Sequence, residues 1–257
     1  MHHAISGVLC LIFDRLFIFD SYSSRYGKGT HRAVNRLNIF ARKVSKNNTC
    51  DCFILKCDIK KFFDSINQEI LINLIKKQIQ DENTIWLLQG IIKSFNKGIP
   101  LGNVTSQIFA NIYLNELDHF AKRHLKIKYY IRYCDDFVIL SGNKLYLENL
   151  IIKIDNFLEN NLKLSLHPNK IIIKKYHQGI DFLGYVSFPY HRILRIKTKH
   201  RIIKKINIKI KNLRENKVSK KSFNQTMQSY LGVLKHCNSY KLGKKIVNHA
   251  KGLTFFY

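Results

Sequence analysis

The sequence predicts an α/β (α+β) fold in which helices surround an antiparallel sheet and a helical segment follows. Stretches with apolar residues at helical spacing alternate with short stretches of β-branched and aromatic residues. The 257 residues, 46% of them hydrophobic, can bury the core of one large domain or two modest ones. Because the pattern beyond residue 200 is helical throughout, we expect a first domain over 1–195 and a second over 196–257.

The elements follow in chain order from the same patterns. A helix is expected over 5–19, and a glycine-rich basic loop, "SSRYGKGTH", leads to a second helix capped by Thr30. Asn67 is expected to cap a later helix, and Thr105 or Ser106 the helix that runs to about residue 124. Further helices are expected at 67–80, 84–96, 144–160, from 200 onwards and at 222–250, and strands at 52–59, 129–140 (a hairpin), 162–166, 171–175 and 180–188.

The charge of the chain is its strongest bulk feature. Lys and Arg number 44 against 17 Asp and Glu, which gives a formal net charge of +27. Such an excess usually serves a polyanion, and nucleic acid is the first candidate. The alternative is a compositional bias that leaves a merely solvated basic surface. On charge alone we favour nucleic acid.

The cysteines and the first residues bear on the cell compartment. None of the six cysteines has the spacing of a zinc site, so we expect reduced thiols in a cytoplasm. The apolar start, "MHHAISGVLCLIFDRLFIF", lacks a basic segment and is interrupted by Asp14 and Arg15. We interpret it as a buried helix rather than a signal peptide, and no run reaches the length of a membrane span.

Two adjacent acids interrupt an otherwise apolar stretch, "YYIRYCDDFVIL". Asp135 and Asp136 repel each other and are poorly suited to apolar neighbours. A plain surface hairpin with aspartates at its tip is one interpretation. The strong strand sequences on both sides argue against it, since such a tip more often carries Gly or Asn. A bound divalent cation such as Mg²⁺ would stabilise the clustered carboxylates.

A third acid, Asp58, ends an apolar strand in "FILKCDIKKFFDSI", where a loop to a site would begin. Two metal ions about 3.5 to 4 Å apart can stabilise the attacking and leaving oxygens of phosphoryl transfer. A basic chain with acids at two separated strand ends therefore predicts polynucleotide phosphoryl transfer, by either a polymerase or a two-metal nuclease. The residues alone favour the polymerase without excluding the nuclease. Ordinary surface or structural roles are expected for Asp51, Asp118, Asp155 and Asp181.

The stretches around these acids resemble the motifs of reverse transcriptases. "YIRYCDDFVIL" resembles the Tyr-x-Asp-Asp motif of that family, and "LKCDIKKFFDSI" resembles its first-aspartate motif. "GIPLGNVTSQIFANIYLNELD" is similar to the loop and helix between them, "SRYGKGTHRAV" to an upstream motif, "LSLHPNKIIIKKYHQGIDFLGY" to the downstream pair and "SYLGVLKHCNSYKL" to the thumb. The resemblance covers nearly the whole chain. It implies a right-hand polymerase with a palm built on an antiparallel sheet, partial fingers and a basic helical thumb.

The resemblance implies a metal site and a nucleotide site. Asp58, Asp135 and Asp136, with the backbone carbonyl of Ile59, match the positions that hold two Mg²⁺ ions, for which Mn²⁺ can substitute. Phe63 matches the aromatic gate that excludes a ribose 2′-hydroxyl; its alternative role is core packing.

Other contacts are implied in the same way. Lys170 matches a lysine that protonates the pyrophosphate leaving group, and a solvated lysine is an equal alternative. Leu101 and Gly102 match residues beside the incoming nucleotide. Primer or template contacts are implied for Arg25, Lys28, Ser106, Gln107, Tyr133 and Gly184.

The central loop suggests a type of reverse transcriptase. Most members carry Gln-Gly-x-x-x-Ser-Pro, whereas this chain has Leu101 and Gly102 followed, after three residues, by Ser106-Gln107. That form resembles the reverse transcriptases of diversity-generating retroelements, which copy an RNA with errors at adenines. Leu101 cannot offer the hydrogen bonds of glutamine, so it either loosens base selection or only packs. Gln107 in place of proline argues against the retron-like and group II intron-like alternatives.

The partners implied are template RNA, a cDNA or DNA primer, dNTPs and a small basic accessory protein, in a bacterial or phage-encoded cytoplasmic system without a membrane. The first residues resemble the middle of the family's fingers, so we expect fingers truncated at the N-terminus. An alternative of another class is a catalytically silent RNA-binding fragment. The three aspartates argue against it, because carboxylates without a metal only repel RNA.

Overall fold

The structure is a computed structural model that describes residues 1–100 and 102–250, and the mixed helix and antiparallel-sheet class is confirmed. The chain divides into two compact units, Met1–Lys175 and the part from Tyr176 onwards. Each unit has its own sheet.

The sheet of the first unit has four antiparallel strands in the order β2-β3-β1-β4. The strands are β1 (Phe53–Asp58), β2 (Tyr130–Tyr133), β3 (Asp136–Ser141) and β4 (Ile172–Lys175). Strand β1 lies in the middle and pairs with β3 from Phe53↔Ser141 to Asp58↔Asp136. Alternation along a strand sends successive side chains to opposite faces, so the register decides which residues share a face.

Within residues 1–100 and 102–175, the structure describes seven α-helices beside this sheet. They are α1 (His2–Phe13), α2 (Thr30–Val44), α3 (Phe62–Ser65), α4 (Gln68–Lys76), α5 (Glu82–Lys93), α6 (Val104–His119) and α7 (Lys144–Leu162). Helix α6 is the central one, since its residues are buried on nearly every side. Tyr113 of this helix is fully buried and its hydroxyl donates to the carbonyl of Leu162, 2.5 Å away. A helix buried on most of its sides belongs in the core, which the sheet and the surrounding helices complete.

The second unit begins with a three-stranded antiparallel sheet, β5 (Ile180–Phe182), β6 (Tyr185–Ser187) and β7 (Arg192–Leu194). Three helices follow: α8 (Ile196–Arg214), α9 (Lys220–Leu234) and α10 (Tyr240–Ala250). The buried face of α8 consists of Ile202, Ile206, Ile210 and Leu213, which repeat at helical spacing.

The division into units falls after Lys175, whereas the sequence placed it at residue 195. The small sheet belongs with the helices because the hydroxyl of Tyr185 donates to the carbonyl of Val233, 3.1 Å away. The amide of Asn238 likewise donates to the carbonyl of Arg192, 2.7 Å away. The identification of the two parts as fingers with palm and as thumb stays a prediction.

Asn67 accepts from the amide of Ile70 and caps α4 as predicted, whereas the other expected caps are wrong. Thr30 is the first residue of α2 and follows Gly29 at the cap position. Helix α6 starts at Val104 after Asn103, so Thr105 and Ser106 lie inside it.

Three segments also differ from the predicted elements. The helix expected over 5–19 is α1, which ends at Phe13 and is followed by a single 3-10 turn, Asp14–Leu16. The segment 162–166 contributes only an isolated bridge between Leu166 and Ile59. The predicted helix 222–250 is two helices separated by a turn, in which Ser239 donates to the carbonyl of Leu234.

Candidate active site

Two of the three predicted aspartates face each other across neighbouring strands. Asp58 is the last residue of β1, Asp136 is the first residue of β3, and the two are directly paired in the register. Directly opposed residues in an antiparallel pair have their side chains on the same face. The carboxylates of Asp58 and Asp135 both raise the pKa of Asp136, behind burial as the largest cause.

Asp135 lies in the tight turn that joins β2 to β3. The turn requires a left-handed residue, and Cys134 takes that role with φ of 56°. Only a few residue types adopt this conformation readily, so the turn is strained at a non-glycine position. Burial raises the pKa of Asp135, and the nearby Asp58 carboxylate raises it further.

Two lysines compensate the clustered acids. The Nζ atom of Lys170 lies 2.9 Å from Oδ1 of Asp58, and the hydrogen bond between them raises the pKa of Lys170. The Nζ atom of Lys56, two residues before Asp58 on β1, lies 3.6 Å from Oδ1 of Asp136. Lys170 is brought to Asp58 by a backbone hydrogen bond of 2.8 Å from the amide of His167 to the carbonyl of Asp58.

The carboxylate oxygens of Asp58, Asp135 and Asp136 are hard ligands of the kind that a divalent cation such as Mg²⁺ prefers. Oδ1 of Asp136 is buried and accepts no hydrogen bond, which is unusual for a carboxylate oxygen and leaves it available to a cation. Within 1–100 and 102–250, however, no three His, Cys, Asp or Glu side chains are grouped closely enough to hold a metal as they lie. The carboxylate of Asp58 is turned to Lys170. A cation bound through Oδ1 of Asp58 would therefore compete with the ammonium group of Lys170.

A buried ion pair between Arg132 and Asp118 supports the turn between β2 and β3. The guanidinium of Arg132 is fully buried and donates to both carboxylate oxygens of Asp118, over 2.8 and 2.7 Å. It also donates to Oδ1 of Asn111 over 3.1 Å, to Oγ of Ser21 over 3.2 Å and to the carbonyl of Cys134 over 3.0 Å. All three nitrogens of the planar guanidinium thus donate hydrogen bonds. It connects α6 and the residue-21 region to the turn that carries Asp135.

The glycine-rich loop is attached to the same framework. The hydroxyl of Ser24 donates to the side-chain carbonyl of Gln107, and the amide of Asn111 donates to the carbonyl of Ser23 over 2.8 Å. Arg25, a predicted template contact, pairs with Asp14 over 2.6 Å.

Lys28, the second predicted contact of this loop, donates to the carbonyl of Phe19 over 2.7 Å. The side chains of Arg25 and Lys28 are therefore engaged inside the protein. Nucleic-acid contact by either one stays a prediction.

Tyr133 and Phe63 have partly exposed rings near the aspartates in sequence. The hydroxyl of Thr30 donates to the hydroxyl of Tyr133 over 3.3 Å, which links α2 to the end of β2. The ring of Phe63 packs edge-on against that of Phe62, with centroids 5.2 Å apart. Phe62 is buried in the core and Phe63 is half-buried. One side of the Phe63 ring thus packs against Phe62, and part of the ring is accessible to solvent.

The remaining predicted residues are dispersed. Ile59 is buried beside Asp58, and Ser106 is buried in α6 without a partner for its hydroxyl. Gly102 is exposed with φ of 98°, and Leu101 lies outside the described residues. Gly184 belongs to the second unit and forms the β5–β6 turn with Leu183.

The residues that sequence reasoning missed are Arg132, Asp118, Asn111 and Lys56. A charged residue in the middle of "YYIRY" was a usable signal, since a buried arginine needs an acidic partner. Nothing local indicates that this partner is Asp118, which was expected to be a surface or structural acid and has the structural role. A membrane-crossing helix, long enough and apolar enough, is not found among the described residues.

The sequence of the chain matches one protein family and several known proteins. Residues 2–187 match the family model described as reverse transcriptase (RNA-dependent DNA polymerase). The protein YkfC of Escherichia coli is 25% identical over 231 residues, which cover 74% of this chain and 58% of YkfC. The group II intron-encoded protein LtrA of Lactococcus lactis is 22% identical, covering 100% of this chain and 51% of LtrA. The chain thus spans between half and three fifths of these two relatives.

Solved structures show the same fold. The telomerase of Candida albicans, solved in complex with a fragment of telomeric RNA, superimposes with a TM-score of 0.60 at 11% identity. The match covers 98% of this chain and 54% of that telomerase chain. The apo telomerase of Candida tropicalis, truncated from its C-terminal domain, gives a TM-score of 0.58 at 15% identity, over 76% of this chain and 45% of its own.

Proposed function

Because the chain belongs to the reverse transcriptase family, we propose that it is an RNA-directed DNA polymerase that copies an RNA template into cDNA. The observation that carries the proposal is the direct opposition of Asp58 and Asp136 across β1 and β3, with Asp135 in the adjoining turn. These acids lie close together although burial and the neighbouring carboxylates disfavour their ionised forms and raise the pKa of Asp135 and of Asp136. That arrangement costs stability, and a phosphoryl-transfer site is a reason to retain it.

The reaction joins the 3′-oxygen of a primer to the α-phosphorus of a dNTP while the bond to the pyrophosphate oxygen breaks. Asp58, Asp135 and Asp136, with the carbonyl of Ile59, are the residues that would hold two Mg²⁺ ions, or Mn²⁺ in their place. When bound, such ions supply positive charge to the attacking and leaving oxygens. The buried Oδ1 of Asp136, which accepts no hydrogen bond although the ammonium group of Lys56 lies 3.6 Å away, supports this assignment.

Lys170 is proposed to protonate the leaving pyrophosphate. Its ammonium group is exposed and lies 2.9 Å from Asp58, so it is charged and close to the reacting groups. Phe63 is proposed to exclude nucleotides with a 2′-hydroxyl by its bulk. Its half-buried ring supports that role, since packing against Phe62 limits how far the ring can retreat.

The second unit is proposed to bind the backbone of the template–primer duplex. Helix α8 contains no acidic residue, and its exposed side includes cations along its whole length: Lys197, Lys199, Arg201, Lys204, Lys205, Lys211 and Arg214. Its apolar side is buried. A one-sided basic helix of this kind attracts phosphates without reading sequence. The contacts proposed for Arg25, Lys28, Ser106, Gln107, Tyr133 and Gly184 would add to this.

Two types of reverse transcriptase remain candidates. The loop from Leu101 to Gln107 supports the diversity-generating type, with Leu101 and Gly102 beside the nucleotide and errors directed to adenines. That type would also use a small basic accessory protein. The likeness to LtrA over the whole chain favours a group II intron-like type instead. Sequencing of the cDNA decides between them, since only the first type predicts an excess of errors opposite template adenines.

The proposal is tested by primer extension on an RNA template with dNTPs and Mg²⁺. The wild type should give product, and Asp58→Asn and Asp135→Asn should each give none. Asp51→Asn is the matched control, because Asp51 also pairs with a lysine, Lys175, over 2.8 Å but precedes β1, at the end of the strand opposite to Asp58. Its product should equal that of the wild type.

A folded wild type that binds RNA but gives no product would contradict the proposal. The silent RNA-binding alternative would then gain support, provided that the Asp58 and Asp135 variants bind RNA at least as well as the wild type. Product that persists in Asp135→Asn would equally contradict the assignment of the site.

A further inference from the structure

The backbone of Phe63 is held in place by the loop 95–99, whose last two residues, Gly98 and Ile99, begin the stretch "GIPLGNVTSQ". The amide of Ile99 donates to the carbonyl oxygen of Phe63 over 2.9 Å. The residue before it, Gly98, is buried and has φ of 65°, a left-handed conformation that glycine adopts readily. The loop 95–99 and the short helix α3 therefore meet backbone to backbone.

The contact leaves no room for a side chain at Gly98. A Cβ atom built there would lie 2.2 Å from the carbonyl oxygen of Phe63 and 2.7 Å from Cα of Asp64. Both atoms are backbone atoms, which cannot rotate away as the end of a side chain can. Any larger residue at position 98 must therefore displace the backbone of Phe63 and Asp64 or the loop itself.

The loop has little freedom to yield, because a side chain of α4 holds it. The side-chain amide of Gln68 donates to the carbonyls of Ile92, Phe95 and Gly98, over 3.0, 2.8 and 3.0 Å. Gln68 is the first residue of α4, and the preceding Asn67 caps that helix. The loop is thus fixed to a rigid element on one side and to Phe63 on the other.

The ring of Phe63 follows its backbone. On its inner side the ring meets Phe62, whose side chain is only 2% exposed and cannot give way. We infer that Gly98, held by Gln68, sets the position of the Phe63 ring and thereby the preference of the enzyme for dNTPs over rNTPs. Gly98 is a positioning residue in this inference, which rests on the proposed polymerase function and on Phe63 as the gate.

The test is the ratio of kcat/KM for a dNTP to that for the matching rNTP, measured by single-nucleotide primer extension. Gly98→Ala should lower this ratio by about tenfold, since small displacements of a positioning group have effects of that size. Phe63→Ala should lower it as well. In the Phe63→Ala background, Gly98→Ala should change the ratio by less than about twofold, because the two residues act through one ring. Gly90→Ala, at an open position of α5, is the control and should leave the ratio unchanged.

A second variant protects the test against a failure of folding. Gln68→Met removes the hydrogen bonds that hold the loop without placing an atom against Phe63, and it should also lower the ratio. An unchanged ratio in the folded variant, for either Gly98→Ala or Gln68→Met, overturns the inference. A wild type that extends no primer contradicts the proposed function and the inference with it. A wild type that extends normally, while either folded variant leaves the ratio unchanged, overturns the inference alone.

Discussion

The guanidinium of Arg132 donates a hydrogen bond to the carbonyl oxygen of Cys134, 3.0 Å away. Cys134 is the residue whose left-handed conformation turns the chain between β2 and β3, and Asp135 follows it directly. A fully buried ion pair thus reaches, through one backbone carbonyl, the turn on which a proposed catalytic acid sits. The relationship makes Arg132 a support of the site rather than a participant in the reaction.

Arg132→Met should destabilise the protein by about 3 to 5 kcal/mol, because it leaves the Asp118 carboxylate buried without its partner. Adding Asp118→Leu should restore much of that loss, since no isolated charge then remains. Primer extension by the double variant should stay low, because the carbonyl of Cys134 still lacks its donor. Chemical denaturation measures the first two effects. Full activity in the stable double variant would contradict the supporting role.

Asp135→Asn should stabilise the folded protein at neutral pH while abolishing activity. Because the pKa of Asp135 is raised by burial, its ionised form costs stability above the folded-state pKa and nothing below the unfolded value of about 3.9. The gain in unfolding free energy should be largest near pH 7 and should shrink as the pH falls toward 4. Denaturation curves at several pH values test this, and a gain that grows toward acid pH would contradict it.

Magnesium should raise the melting temperature of the wild type in the absence of nucleic acid, because an ion bound only to the folded state stabilises it. Asp58→Asn and Asp136→Asn should reduce or abolish the shift, whereas Asp51→Asn should retain it. Thermal melting over a series of Mg²⁺ concentrations gives the readout independently of catalysis. Equal shifts in all four proteins would show that the ion binds elsewhere.

Lys170→Gln should strengthen Mg²⁺ binding, because its ammonium group no longer competes for Oδ1 of Asp58. The Mg²⁺ concentration needed for half of the thermal shift should fall by several-fold, while primer extension falls because the proton donor is lost. Lys175→Gln breaks an ion pair of similar length with Asp51 and is the matched control. The hypothesis fails if both variants shift the Mg²⁺ midpoint equally.

Replacement of Lys204 and Lys205 by glutamine should weaken RNA–DNA duplex binding and flatten its salt dependence. The slope of log K against log salt should fall by about 0.9 for each phosphate contact removed. Lys217→Gln is the control, since Lys217 is already paired with Glu215 over 2.7 Å. Binding titrations at several salt concentrations measure the slopes. A slope that does not change in the double variant would exclude these lysines from the interface.

The sequence was most informative where chemistry and local pattern coincide. Asp58 ends one apolar strand and Asp136 begins another, so the sequence itself predicted that both lie at strand ends. Their direct pairing across the two strands was seen only in the structure. The aromatic and β-branched residues of "YIRY" and "FVIL" predicted the strands of the hairpin for the same reason. The helix cap at Asn67 also depended only on neighbouring residues.

Features that depend on distant contacts could not be predicted. Thr105 and Ser106 are good capping residues, yet the structure buries both in α6 and begins the helix at Val104. The partner of Arg132 lies on that helix, and the reason for glycine at position 98 is the backbone of Phe63. Local spacing carries no information about such long-range pairs.

The pairing of β1 with β3 also determines where this chain can change its length. One residue inserted into β1 would slip the register by one position and turn Asp58 to the opposite face of the sheet. Insertions and deletions should therefore be excluded from these two strands and tolerated in turns such as 46–49, which lie beyond the other end of β1. In a library of single-codon insertions, active variants should carry no insertion within β1 or β3.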